Sequence, residues 1–247
     1  YYFRTAPSDT FQGAVLGQLM AKEGAKNIVV LNLDDAYGNG LAKYAMQAFS
    51  GTSTNIVYNP QAAEFSADVA KAKAAKPDAI ALIGFDETAK ILTEMIKQGV
   101  GPNKVKTYLV DGNLSSGAYA ELPAGIMKGV KATLPGVFAD DSLQQRLLGV
   151  DPSLTDFSYA AESYDAIILI ALAAEQGGAT DGQTIRDNLV SVSKGGTKCT
   201  TFAECKALIA DGVDIDYDGV SGPVEFADNG DPSYATMGIY EYTANDK

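Results

Sequence analysis

The residues best placed for chemistry stand just beyond short apolar runs. Tyr37 follows the run Asn27-Ile-Val-Val-Leu-Asn-Leu33 by way of Asp34 and Asp35. Phe85 and Asp86 follow Asp78-Ala-Ile-Ala-Leu-Ile83, and Asp111-Gly112 follows the run from Lys106 to Val110. A carboxylate flanked by aromatic faces suits an ammonium group, through a charge-assisted hydrogen bond and cation–π attraction. Asp111, Tyr37 and Phe85 are therefore the candidate set of a cation site. Each position also has a plainer reading. Asp34 and Asp35 can cap the next helix, which is preferred over ligand contact, and Asp86 can do the same for a later one. Phe85 can equally be a core ring.

Other chemistries find less support. Gly38-Asn-Gly40 follows a strand and opens a helix, but Lys43 stands where the third glycine of a dinucleotide loop belongs. No GxxxxGK[ST] run occurs. Asp34, Asp35 and Asp86 could form a receiver-like Mg²⁺ pocket, yet the later strand end at Val110-Asp111 offers no lysine. Asp214, Asp216 and Asp218 alternate as in calcium loops without the later glutamate of an EF-hand, so a solvated acidic turn is preferred. Ser115-Ser116 has no partner base and reads as an ordinary turn. The sequence contains no histidine. That removes Ser-His and Cys-His pairs, histidine bases and histidine metal ligands. No catalytic residue, metal site or cofactor is expected, and the chain is not read as an enzyme.

Charge narrows the partners. Lys plus Arg number 19 against 31 Asp plus Glu, a net charge of -12, which disfavours nucleic acid and anionic lipid surfaces. Cys199 and Cys205 lie in Cys199-Thr-Thr-Phe-Ala-Glu-Cys205, without further residues nearby to complete a zinc site. They are either a local disulfide, the preferred reading, or two reduced thiols; a disulfide places the protein outside the reducing cytosol. The opening Tyr1-Tyr2-Phe3-Arg4 has none of the regions of a signal peptide and reads as a chain starting partway through something. No window has the ~18 consecutive apolar residues of a membrane span.

The elements that must hold these residues alternate. Phe11, Val15, Leu16, Leu19 and Met20 have helical spacing over 10–23, capped by Ser8 or Asp9 and stopped by Gly24. The run over 27–33 is the near-continuous apolar kind that parallel strands buried on both faces show. Helices are expected over 39–49, 66–75 and 87–98, and strands over 55–58, 78–83, 106–110 and 129–134. Strands separated by helices imply right-handed crossovers and a parallel sheet. Ligands of such sheets gather outside the carboxyl ends of the strands, where Tyr37, Phe85 and Asp111 fall. Beyond Pro135 the pattern predicts helices over 142–148, 159–175, 183–192 and 202–210, then an acidic turn region over 211–218 and strands over 222–226 and 236–242. That half has hardly enough strands for a sheet of its own, and its long helix too little to pack against.

Several segments together resemble a known family. Phe3-Arg-Thr-Ala-Pro-Ser-Asp9, Asp34-Asp35-Ala36-Tyr37-Gly38, Phe65-Ser-Ala-Asp68 and Pro77-Asp78 look like the type I solute-binding proteins of ABC transporters, nearest the leucine/isoleucine/valine-binding group. Glu162-Ser-Tyr-Asp-Ala166 and Ser221-Gly-Pro-Val-Glu-Phe226 followed by Asn229-Gly-Asp231 fit the same order. Cys199 and Cys205, followed by Ile215-Asp-Tyr217, resemble a subgroup that carries a disulfide near its end.

The resemblance implies an α/β, periplasmic-binding-protein-like type I fold: two doubly wound parallel-sheet lobes closing on a small ligand, one lobe here incomplete. Residues 1–132 plus 231–247 would form lobe two, and 133–230 the later portion of lobe one. The earlier part of lobe one would be absent, as from an N-terminally truncated or proteolysed product. Carried over by position, Tyr37 and Phe85 are aromatic ligand contacts and Asp111 is the acid that meets an α-ammonium. Glu162 and Tyr164 lie near the cleft or, preferably, support the hinge. The groups that hold the ligand carboxylate would belong to the absent part. The function so implied is extracytoplasmic capture of a small amino acid for an ABC permease, in the periplasm or on a cell-surface lipoprotein. The alternative is an amide- or amino-acid-sensing regulatory protein of the same fold. A half-built lobe would also leave an apolar flank prone to self-association.

Overall fold

Apolar runs that alternate with amphipathic segments fold into a parallel sheet with helical crossovers. The computed structural model describes residues 1–115 and 117–243. Ser116, expected in a turn, and 244–247, the end of the segment assigned to lobe two, lie outside the described residues. In chain order the first elements are α1 (Asp9–Lys22), β1 (Asn27–Leu33), α2 (Ala36–Ala48), β2 (Thr52–Tyr58), α3 (Ser66–Ala74), β3 (Ala79–Ile83), α4 (Thr88–Lys97), β4 (Lys106–Leu109) and β5 (Lys131–Pro135). Then come α5 (Asp141–Val150), α6 (Ala160–Gly177), α7 (Gly182–Leu189), β6 (Thr197–Cys199), α8 (Phe202–Ala210), β7 (Ile215–Gly219), β8 (Gly222–Pro223) and β9 (Met237–Glu241).

Contacts group the chain into two units: Asp9–Leu134 with Ile239–Lys247, and Tyr1–Ser8 with Pro135–Gly238. The first carries a six-stranded sheet in the order β2-β1-β3-β4-β5-β9. Its pairs β1–β2, β1–β3, β3–β4 and β4–β5 are parallel. Ile28, Val29, Val30 and Leu31 of β1 and Ile80, Leu82 and Ile83 of β3 are buried. Removing such side chains from water stabilises by roughly 1.5–3 kcal/mol each, which is why these runs take the centre of the sheet. The helix α1 meets α2 closely, because a Cβ on Gly17 would lie 2.1 Å from the Ala45 carbonyl oxygen.

The second unit packs α6, α7 and α8 around a small sheet ordered β6-β7-β8. Leu169, Leu172, Val192, Ile215, Tyr217 and Phe226 form its core with Cys199 and Cys205. Asp165 of α6 is fully buried and satisfied: it accepts from the Tyr217 hydroxyl at 2.8 Å, Val220 N at 3.1 Å and Ser221 N at 2.7 Å.

Three expectations change here. Ile215–Gly219, read as part of an acidic turn, is strand β7: Ile215 and Tyr217 face the core, while Lys198 of β6 neutralises Asp216 and Asp218 at 3.0 and 3.3 Å. The strand expected over 222–226 shrinks to Gly222–Pro223, with only an isolated bridge between Phe226 and Pro232 beyond it. Residues 1–8 and 231–238 group with the second unit rather than with the first. Arg4 explains this locally: its backbone N–H donates to Gly230 O at 3.0 Å and its Nε to Asp231 Oδ1 at 2.6 Å. Phe3 also packs edge-on against Phe226, ring centroids 5.2 Å apart.

Candidate functional site

Three neighbouring strand ends in the first unit carry the candidate ligand residues. After β1, Asp35 caps α2 by accepting Gly38 N at 2.7 Å. A Cβ on Gly38 would lie 2.3 Å from the Leu33 carbonyl oxygen, so the first turn of α2 sits hard on the strand end and fixes Tyr37 there. Asp34 accepts from Asn39 Nδ2 at 3.3 Å. Both acids thus serve the loop and helix start.

After β3, the turn at Gly84 is braced by Glu87. Its Oε1 accepts from the Tyr58 hydroxyl at 2.6 Å and from Phe85 N at 3.1 Å. Burial and the Glu87 carboxylate push the Tyr58 hydroxyl far above the ordinary phenol range, so it stays a donor. The residue flanking the start of α4 is Glu87, not Asp86 as expected, and its side chain makes no cap bond. The carboxyl that would have capped is instead spent on the turn. Phe85 is 44% exposed, so it is no core ring.

After β4 the chain makes a 3₁₀ turn over Asp111–Asn113. Asn113 is buried and pins it, accepting from Val110 N at 2.8 Å and donating to Leu82 O at 3.1 Å and Thr88 Oγ1 at 3.0 Å. A Cβ on Gly112 would meet Phe85 Cε1 at 2.8 Å and the Gly84 carbonyl oxygen at 2.7 Å. Only glycine lets these two loops touch.

The result brings Tyr37, Phe85 and Asp111 together. The Tyr37 and Phe85 rings stack, centroids 5.4 Å apart and planes 24° from parallel. The Tyr37 hydroxyl donates to Asp111 Oδ1 at 2.7 Å and accepts from Gly112 N at 3.3 Å. Gln12 Nε2 donates to the same carboxylate oxygen at 2.7 Å. These two donors are neutral, so neither of them cancels the carboxylate charge. A half-exposed aromatic pair beside an oriented carboxylate can receive a cationic nitrogen.

Sequence reasoning missed Gln12. It is fully buried on α1, and its amide also donates to Thr133 O and Thr133 Oγ1, each at 3.2 Å. A signal existed: Gln12 lies four and eight residues before Leu16 and Met20, on the buried stripe of that helix. A polar side chain at such a position needs partners.

Glu162 and Tyr164 belong to the second unit. Glu162 is 3% exposed; its Oε1 accepts from Val137 N at 2.8 Å and its backbone oxygen from the Thr5 hydroxyl at 2.9 Å. Burial drives its carboxyl upward, against the Val137 N–H that favours the charged form. Its Oε2 has no hydrogen-bond partner among the described residues. Tyr164 accepts from Arg146 Nη2 at 3.1 Å, the guanidinium lying 4.9 Å from the ring centroid. Cys199 and Cys205 form a disulfide, Cα atoms 5.4 Å apart. Among the described residues no group of three or more acidic, Cys or His side chains is placed to hold a metal ion. No helix there is long and apolar enough to cross a membrane.

A family model described as the receptor family ligand binding region matches residues 1–245. The chain belongs to this receptor family. Its ligand-binding region has the type I periplasmic-binding-protein fold, as two solved structures show. One is the leucine binding protein LivK of Thermotoga maritima, at a TM-score of 0.74 and 20% identity, over 97% of this chain and 63% of that one. The other is the branched-chain amino acid transporter substrate binding protein LivJ of Streptococcus pneumoniae in complex with isoleucine, at 0.71 and 20%, over 96% and 63%. Glutamate receptor 2.4 of Arabidopsis thaliana is 25% identical over 252 residues, 92% of this chain and 27% of the receptor. These relatives are binding proteins and a receptor. The receptor-family region seen here spans under two thirds of the length of the two binding proteins.

Proposed function

We propose that this chain is part of an extracytoplasmic solute-binding component of an ABC transporter, not an enzyme, and that it takes a small amino acid of branched-chain or similar type. The observation that carries this reading is the convergence of Asp111, Tyr37 and Phe85 at three strand ends, with the carboxylate oriented by neutral donors. The α-ammonium meets Asp111, and the stacked rings shield it from water. The disulfide supports a location outside the reducing cytosol.

Magnitudes say how far this set reaches. A hydrogen bond to a charged group contributes ~1.5–3 kcal/mol, and cation–π contact ~0.5–2 kcal/mol. Micromolar affinity needs about 8 kcal/mol. The three residues therefore form the ammonium half of a site whose carboxylate half lies elsewhere, and the 247-residue chain binds weakly. Titration of the ¹⁵N-labelled chain with leucine, isoleucine and valine tests this. Shifts at Tyr37, Phe85 and Asp111 that vanish in Asp111→Asn are expected; equal affinity in that variant removes Asp111 from the site.

The second reading is a ligand-sensing regulatory protein of the same fold, favoured by the receptor-family match and the plant receptor. Capture of permease subunits by the tagged, ligand-loaded protein supports transport. Capture of a regulator instead supports sensing.

A further inference from the structure

We propose that Gln12 is a positioning residue: it holds the Asp111 carboxylate in one orientation and thereby sets a preference for ligands bearing an α-ammonium over those bearing an α-hydroxyl. The preference rests on the amino-acid reading of the site; the positioning does not.

The geometry assigns this role to the amide. Gln12 Nε2 reaches Asp111 Oδ1 at 2.7 Å, against 3.2 Å to each Thr133 oxygen, so the shortest of its three contacts goes to the carboxylate. Two of the three neighbours, the Asp111 carboxylate and the Thr133 carbonyl, can only accept, which fixes the amide with nitrogen toward Asp111. The flipped amide would set its oxygen against a carboxylate and a carbonyl. Gln12 Oε1 is left buried with no hydrogen-bond partner among the described residues. The fold thus tolerates an orphaned acceptor on one side of this amide while three oxygens engage the other. A neutral donor is also the suitable choice chemically. An Arg or Lys in its place would cancel the charge that draws an ammonium, whereas an amide orients the carboxylate without itself neutralising it. Tyr37 donates to the same oxygen from the opposite loop, so two neutral donors on separate elements clamp a single atom.

The test uses Gln12→Met, which keeps the length and loses the donor, and Gln12→Leu, which loses the donor in a shorter apolar side chain. Three-bond couplings across the Cα–Cβ bond of Asp111 read its rotamer without any ligand. One rotamer is expected in the parent and averaging in both variants, with thermal unfolding confirming that each is folded. Leucine and its α-hydroxy analogue are then titrated into all three. The parent is expected to prefer leucine about tenfold, the variants to lose most of that preference, and the α-hydroxy analogue to change little. A role confined to packing would weaken both ligands alike. An unchanged Asp111 rotamer in both variants overturns the positioning role, as does an unchanged ligand ratio. Rotamer averaging with no leucine binding by the parent keeps Gln12 as the positioning residue and discards the amino-acid reading instead.

Discussion

Two carboxyl groups in this protein show how surroundings divide labour between like side chains. Asp111 is half-exposed, and two neutral donors, Gln12 and Tyr37, orient its carboxylate. Removing only the Tyr37 hydroxyl, by Tyr37→Phe, keeps the ring against Phe85 and takes away one donor to Asp111. Leucine binding should weaken about threefold to tenfold, less than in Asp111→Asn, because roughly one net hydrogen bond is lost; the same NMR titration reads it. Glu162 is the opposite case, buried and pushed upward from its ordinary 4.5, with Asp165 adding to the rise. A carboxyl whose folded value is raised gives its full stabilisation below about pH 4, where it is protonated in both states, and loses it as pH climbs through the folded value. Glu162→Gln keeps an acceptor for Val137 N and cannot ionise. Urea unfolding should therefore find variant and parent similar near pH 4 and the variant progressively more stable toward about pH 8. A difference that stays constant across that range would mean Glu162 titrates alike in both states.

At the level of elements, close approaches decide which glycines are free to change. Gly17 lies within α1, where alanine should gain about 0.5–1 kcal/mol from backbone entropy. Its Cβ, however, would sit 2.1 Å from the backbone oxygen of Ala45 on α2, which cannot rotate away. Overpacking typically costs ~1–3 kcal/mol, so Gly17→Ala is expected to destabilise. Gly40 lies within α2 with nothing within 4 Å of its Cβ position; Gly40→Ala should stabilise by about 0.5–1 kcal/mol. Chemical denaturation of the two variants compares them directly, and equal effects would show that the helix contact yields.

The same distinction explains what could be read from sequence. β1, β3 and α1 were legible because apolar spacing alone dictates them. The strand β7 was not, because Asp216 and Asp218 look like solvated acids until Lys198 is placed beside them by β6. Tyr37, Phe85 and Asp111 could be picked out as strand-end residues. Gln12 could not be linked to them, since its contact with Asp111 spans 99 positions of the chain and depends on how α1 packs against the sheet.

For the molecule as a whole, apolar attraction and net charge oppose each other. In the unit containing α6, Ile167 is 66% exposed and Ile170 is 43% exposed. Beside them lies a cavity of about 410 Å³ whose walls include Phe3, Ala166, Leu169, Ile170 and Ile185. A helix with large apolar residues on more than one face gains free energy by covering the second, and another copy of the chain offers the same apolar surface. Against this stands a net charge of -12 on every copy, which repels at low ionic strength. Screening shortens the reach of that repulsion from ~30 Å at 0.01 M salt to ~3 Å at 1 M while leaving the apolar term in place. Self-association of the 247-residue chain should accordingly grow with salt, the reverse of an association held by ion pairs. Light scattering across a salt series measures it, with Ile167→Lys and Ile170→Lys as variants that put charge on the open face. A mass that stays monomeric at high salt, or one that rises equally in the lysine variants, would show that this face of α6 is not what brings the copies together.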